Sequence, residues 1–452
     1  MDRGVGVCAA LLGLALAGAA HADQPAFKLV RADEDYSYLA KAPERTGLDS
    51  LRYIPVGDEG YLTLGGEARL RIDSIDAPRF GLGGEQADTF ALTRLLLSAD
   101  LHLNPVVRVY GELGVHRDIG KKDPPSATDR DALDAQVLFV DLAPAQGWRV
   151  RLGRQELSFN PTQRFVAVRE APNIRQSFDG VRITRDTGAL KLDAFYVQPV
   201  VVKQGAFNDS RSRTQRFYGL YAQTRLSAHD SVDVYALGLE RDAVKFGSVT
   251  GDERRTALGA RFAGTRGPVD YEAEGMVQGG RFAGRDIRAW GGSIGGGYTL
   301  VAPWKPRLGL RFDAGSGDKN PNDGRLETFN PLFPKGAYFN ETSLTSWSNL
   351  IALRPSLSVT PRKGVALEAS YMIRRRQTGD DAIYLQPYTA LAPVGTDHAK
   401  AVGDAAELDA SWQITRDLKL QGQLVHQSAG EAVRALGGHA VDLAVLFVQL
   451  RF

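Results

Sequence analysis

Arginine is the residue type whose spacing in this chain invites chemistry. The 452 residues carry 55 Lys and Arg against 53 Asp and Glu, and most of the basic residues are arginine. Arg69, Arg71, Arg94, Arg108, Arg149, Arg151, Arg182, Arg261, Arg307, Arg311 and Arg374 all stand at alternate positions among apolar residues. A guanidinium fork pairs bidentately with a carboxylate and is more weakly hydrated than an ammonium. Lining a wet passage, such groups offer an anion repeated sites of about 1 kcal/mol each at ~4 Å in bulk dielectric. Weak sites suit transit, because tight ones trap the solute. Acidic residues share the same faces: Glu67, Asp100, Glu112, Asp193, Asp270, Glu272, Glu274, Asp313, Glu368 and Asp409. Some of these pairs must serve as a ladder of ion pairs that stiffens the wall.

Other chemical signals are weaker. Asp318–Gly324 has the flavour of a calcium loop, but its glycine is misplaced and Phe329 stands where a bidentate glutamate is needed. His102, His116, His229, His398, His426 and His439 lack ligand spacing, and no Ser/His/Asp set is apparent. Gly291-Gly292 and Gly295–Gly297 lie within a strand pattern, so they form no phosphate loop. We therefore expect no catalytic residues, no metal and no cofactor. The net charge of +2 gives no polybasic face, and nucleic acid is not expected as a partner.

The elements that must position the arginines are strands. Leu62, Leu64, Ala68, Leu70 and Ile72 alternate with Thr63, Gly65, Glu67, Arg69 and Arg71, a period of two with one apolar face. The pattern returns in Thr93–Leu103, Val107–His116, Val269–Gln278, Arg307–Ala314, Val365–Arg376 and Glu407–Ile414. About eighteen such segments have the roughly 9–11 residues of a tilted membrane-spanning strand. The connections alternate between short turns, such as Asn104-Pro105 and Thr415–Asp417, and longer polar stretches, such as Arg117–Asp131, Ser158–Ser177, Gly315–Thr345 and Arg375–Asp404. That asymmetry predicts an all-β, transmembrane, up-and-down antiparallel barrel with both termini in the periplasm. A soluble sandwich gives no reason for it. Closure follows from backbone chemistry, since unpaired edges in hydrocarbon are costly. A lipid-facing arginine at the midplane would cost about 2–4 kcal/mol, so the arginines should face an inner water column. Around eighteen strands should leave a water-filled lumen.

The two ends of the chain support this reading. Arg3, the apolar run Val5–Ala19 and Ala20-His21-Ala22 read as a cleaved export signal over residues 1–22. Its removal would take away Cys8, the chain's one cysteine. Residues 23–60 then read as a periplasmic segment and 61–452 as the barrel, in the outer membrane of a Gram-negative bacterium. Leu450, Val448, Leu446 and Ala444 alternate back from the terminal Phe452, although Val445 and Phe447 stand where polar lumen residues are expected. Trp148, Tyr218, Tyr298 and Trp412 fit interfacial aromatic girdles.

Several blocks resemble the alginate-export outer-membrane barrels. They are Glu34–Leu39, Leu48–Pro55, Leu64–Arg69, Arg151–Leu157, Arg175–Arg182, Ser316–Pro321 and Phe329–Pro334, in order over most of the chain. The resemblance implies an 18-stranded barrel with an arginine-lined pore selective for an anionic uronate polymer. It implies pore-lining roles for Arg69 and Arg71, Arg151 and Arg154, and Asp179 and Arg182. It also implies obstructing loops. Arg117–Asp131, with Lys121 and Lys122, is the candidate inward-folding loop, while Thr415–Asp417 is too short for a periplasmic plug.

The function expected is passive, anion-selective export of an alginate-like polysaccharide, by a monomer in the lipid bilayer that a periplasmic scaffold could serve. A porin for small anionic metabolites is the alternative. A barrel-embedded enzyme or adhesin acting through external loops is a third reading.

Overall fold

A computed structural model describes residues 27–42, 45, 47–247, 249–392 and 398–452. The export signal at 1–22 lies outside the described residues. Within them the chain forms a closed antiparallel barrel of eighteen strands. The first six are β1 (Gly60–Ile75), β2 (Asp88–His102), β3 (Val107–Ile119), β4 (Asp131–Leu142), β5 (Trp148–Gln155) and β6 (Phe178–Asp186). Next come β7 (Leu190–Val201), β8 (Gln215–Arg225), β9 (Asp230–Phe246), β10 (Val249–Arg266), β11 (Val269–Phe282) and β12 (Arg285–Thr299). The last six are β13 (Arg307–Gly315), β14 (Leu350–Arg362), β15 (Val365–Arg375), β16 (Ala401–Gln413), β17 (Leu418–Gln427) and β18 (Val441–Arg451). Each strand pairs with the next, and β18 closes on β1 from Glu67↔Arg451 to Ile75↔Leu443. Phe452 extends the seam by exchanging both backbone hydrogen bonds with Gly66.

Alternation decides which side chains go where. Leu64, Leu97, Leu113, Leu138, Leu152 and Ile183 are exposed on the outer wall. Glu67, Arg69, Arg71 and Asp73, at the opposite parity in β1, are buried inside. A continuous apolar outer band of this size has no place in water and matches hydrocarbon. No helix among the described residues is long and apolar enough to cross a membrane. Trp148, Tyr298 and Trp412 are exposed near the end that bears the termini, and Tyr196 stacks on Tyr218 on the outer wall nearer the opposite end.

The expected alternation of short and long connections holds with two exceptions. At the loop end only two residues separate β9 from β10, and residues 283–284 join β11 to β12 as a tight hairpin. Those strands run to 17, 18, 14 and 15 residues, so the chain that would have looped instead raises the wall. By contrast β5 and β6 have only 8 and 9 residues, because residues 156–177 leave the wall early and enter the barrel.

The lumen differs from the water column expected. Residues 156–177 and 316–349 meet inside it, with Ala167 N–H donating to Phe333 O and Phe333 N–H to Phe165 O. Their Phe165, Phe329 and Trp347 pack with Phe178, Phe195 and Phe217 of the wall into an apolar core. Loop aromatic residues cannot be left in water, so they fill this part of the barrel. A second apolar cluster at the loop end joins Phe80, Leu344, Ile383 and Val433 from four different loops.

The described residues between Phe27 and Glu59 cross the terminal mouth. Val30 and Ala32 pack with Tyr110, Val137, Phe139 and the inward-loop residue Val168. Arg31 Nη1 donates to Gly66 O at 2.8 Å, and Arg52 Nη2 reaches Asp417 at 2.9 Å. Tyr53 stacks on Tyr61, which stacks on His102.

Candidate functional site

The lumen-facing arginines fall into two groups, distinguished by their partners. The first grips the inward loop. Arg94 donates from Nε to Asn173 O at 2.8 Å and from Nη2 to Pro172 O at 2.7 Å, and pairs with Glu67 at 3.1 Å and Glu170 at 2.6 Å. Arg69 Nη1 donates to Glu170 O at 2.7 Å. Arg71 pairs with Asp73, donates to Ala171 O, and reaches Glu341 of the second inward loop at 2.7 Å. Phe447, an apolar lumen residue, lies under both Arg69 and Arg71. Arg374 donates to Thr345 Oγ1 at 2.9 Å and is fully buried. These guanidiniums point inward as alternation requires, but their protons are spent on carbonyls, carboxylates and a hydroxyl of the wall and the inward loops.

The second group pairs across the wall. Arg108 pairs with Asp100 and Asp141, and also donates to Ala32 O of the mouth segment. Arg151 pairs with Asp141 and lies over Phe139, with its guanidinium carbon 3.7 Å from the ring centroid. Arg182 pairs with Asp193, Arg261 with Glu272 and Asp233, Arg307 with Asp270, and Arg311 with Asp313. Arg149 is the outlier: half-exposed, with Asp141 only at 4.0 Å.

Three cavities open between these residues. One of about 620 Å³ is bounded by Arg69, Arg311, Arg354, Lys335 and Lys419 and by an equal number of carboxylates, among them Glu341 and Asp409. Burial holds the Lys335 pKa below the ordinary lysine value. A second cavity, of about 640 Å³, lies along β9–β15 beside Arg164, Arg307 and Asp270. The third, of about 840 Å³, sits at the terminal mouth under the turns that follow β2, β4 and β6. Its charged lining is Lys28, Arg149, Arg151, Arg182 and Lys191 against Asp33 and Asp186. Its cationic excess of three exceeds that of the second cavity, where Arg164, Arg307, Arg311, Arg354 and Lys335 face Asp270, Glu272 and Glu368.

Arg154 and Asp179 do not join the lumen set. Arg154 shares the parity of the exposed Leu152 and pairs with Leu138 of the outer wall, and Asp179 shares the parity of Ile183. They pair with each other at 2.9 Å on the outer side, where Arg154 also reaches Asp134. Asp131, Asp134 and Asp209 bring carboxylate oxygens within 4.8 Å of one another there.

The loop of Arg117, Lys121, Lys122 and Asp131 is likewise corrected. It stays at the rim: Lys121 pairs with Asp129 at 2.5 Å, Lys122 N–H donates to Asp88, and Arg130 pairs with Asp118. The next loop enters instead. Asn173 Nδ2 ties the two by donating to Asp129 O at 2.8 Å. Periodicity missed Arg164, Glu170 and Arg175, which sit on that loop and not on a strand. Arg164 pairs with Glu272 and Glu274, and Arg175 with Glu156 and Glu170. The sequence signals for them were the charges within residues 164–175 and, for Arg175, the family-like block Arg175–Arg182.

Among solved structures the chain is similar to OccK2 (OpdF) of Pseudomonas aeruginosa in complex with glucuronate, at 11% identity and TM-score 0.57, covering 86% of this chain and 98% of that one. It is also similar to OccAB1 of Acinetobacter baumannii, at 13% identity and TM-score 0.61, covering 86% and 96%. OccAB3 of the same organism matches at 12% identity and TM-score 0.59, covering 86% and 99%. At such identities the likeness establishes the fold. No curated protein sequence matches. The alginate export family model matches residues 60–447, from the first residue of β1 into β18. With that match over the whole eighteen-stranded wall, the chain belongs to the alginate export family of outer-membrane β-barrels.

Proposed function

We propose that the protein is a passive, anion-selective channel that exports an acidic polysaccharide, alginate-like in chemistry, entering from the terminal, periplasmic mouth. The observation that carries this reading is the cationic vestibule of Arg149, Lys191 and Lys28, with Arg151 and Arg182 behind them. Asp141 and Asp193 answer the last two and Lys28 donates to the Asp33 carbonyl, which leaves Arg149 and Lys191 to meet a solute. Sites of this kind are weak and repeated, as transit of a polyanion requires.

Planar-bilayer recording of the purified barrel in a salt gradient tests it. The wild type should favour anions. The double variant Arg149→Glu/Lys191→Glu should lower the anion-to-cation permeability ratio about fivefold per reversed charge, from about 1 kcal/mol each. Cation preference in the wild type would end the proposal.

A porin for small acids is the second reading, supported by the two inward loops that pack inside the barrel and narrow it. The likeness to a channel solved with glucuronate points the same way. Block of the current by oligouronates, but not by monomeric uronate, would favour export of polymer. Equal passage of monomers without polymer block would favour the porin.

A further inference from the structure

Arg169 departs from the pattern of the other arginines. Among the described residues it is the one buried or half-buried arginine that has no ion pair, hydrogen bond or aromatic partner. Its Nε is buried and unpartnered. Burial pulls its pKa down, and no carboxylate opposes that pull. Taking a guanidinium from water without a counter-ion is costly, and the other buried arginines among the described residues have partners. The backbone at Arg169 is also held at φ 55°, a left-handed conformation that costs a side-chain-bearing residue.

The guanidinium lines a cavity of about 250 Å³ at the loop-end rim, where the early ends of β5 and β6 leave room between β4 and β7. The rest of the lining is not anionic apart from Asp209. Thr128 and Gln176 offer a hydroxyl and an amide, the Ser177 hydroxyl being bonded to Gln136, and Val200 and Val202 give an apolar side. Arg175 also lines the cavity but is paired with Glu156 and Glu170, so one unpaired cation, hydrogen-bonding groups and a small apolar wall remain to suit one sugar-acid ring: carboxylate to the Arg169 guanidinium, hydroxyls to amide and hydroxyl groups, ring face to valine. We infer that this cavity is a binding subsite for a single hexuronate residue, with Arg169 holding its carboxylate. The inference rests on the acidic-polysaccharide reading and places a contact for that solute at the loop end, away from the terminal vestibule.

Ligand-observed NMR and calorimetry on the purified full-length barrel in detergent test it, with sodium glucuronate, glucose and inorganic phosphate as probes. Glucuronate should bind, and glucose at least about tenfold more weakly, since only the former offers the charge-assisted pair. Arg169→Gln should weaken glucuronate binding at least about tenfold. Val202→Trp, which fills the cavity with Arg169 intact, should do the same, and loss of an exposed arginine in Arg288→Gln should leave binding unchanged. Heat-modifiable gel mobility verifies that each variant is folded. Binding unchanged in both Arg169→Gln and Val202→Trp overturns the subsite, as does glucose binding as tightly as glucuronate. Displacement of glucuronate by equimolar phosphate also overturns it, because that marks a general phosphate site. A channel that is anion-selective in the bilayer yet shows no Arg169-dependent binding removes the subsite alone. A non-selective channel that still binds glucuronate through Arg169 removes the conduction reading alone.

Discussion

Arg94 shows what an arginine in this lumen does. Its side chain and that of Glu67 are both fully buried, and its remaining protons are held by the carbonyls of residues 170, 172 and 173. Breaking a buried pair leaves an uncompensated charge, so Arg94→Ala should destabilise the barrel by about 3–5 kcal/mol, read from denaturant unfolding in detergent. The same variant should raise single-channel conductance, because the inward loop loses its main anchor. Unchanged conductance would mean that residues 156–177 are held by the aromatic core alone. The inward direction of Arg69, Arg71, Arg94 and Arg151 was legible in the sequence, because a strand alternates with a period of two. Arg154 was not placed by that rule. It stands three positions from Arg151, as Asp179 stands three from Arg182, and an odd separation puts two residues of a regular strand on opposite faces. The family resemblance suggested lumen roles for both; parity assigns them to the outer side.

The mouth segment acts as a strap tied at both ends. Arg31 and Arg52 fasten it to the seam and to the β16–β17 turn, while Leu29 O accepts from Arg175 of the inward loop at 2.6 Å. The strap and loop thus share one buried cluster, and movement of either must expose Val30, Ala32 or Val168. Removing residues 27–42 should therefore increase both conductance and the proteolytic sensitivity of residues 156–177. Ala32→Cys, only 3% exposed, should react slowly with thiol reagents in the intact barrel. Rapid labelling would show that the strap is not seated. At the loop end, Asp318 is pushed up to about 6 by burial and by Asp381, with Arg285 at 3.8 Å opposing. Its folded pKa lies above its unfolded value, so its contribution to loop packing is full below about pH 4 and is lost as pH rises through about 6. None of these partnerships could be read from spacing, because each joins residues far apart in sequence through loops with no periodicity.

The whole wall is organised by the solvent on its two sides. Leu97, half-exposed on the outer face, stands one position from the buried Leu96, so adjacent residues meet lipid and lumen. Leu97→Arg should cost about 2–4 kcal/mol when the barrel is unfolded from lipid vesicles, the price near the bilayer midplane. A cost near zero there would remove the membrane account. Composition, the period of two and the length of the segments determined by themselves that the chain forms a lipid-facing barrel with inward arginines, since those properties depend on local backbone geometry and on transfer between water and hydrocarbon. Tertiary structure alone decided which loops enter the barrel, that their aromatic residues pack there, and which cations remain unpaired. Those outcomes depend on pairings between distant residues, and a guanidinium is free or spent only with respect to the carbonyl or carboxylate the fold brings to it.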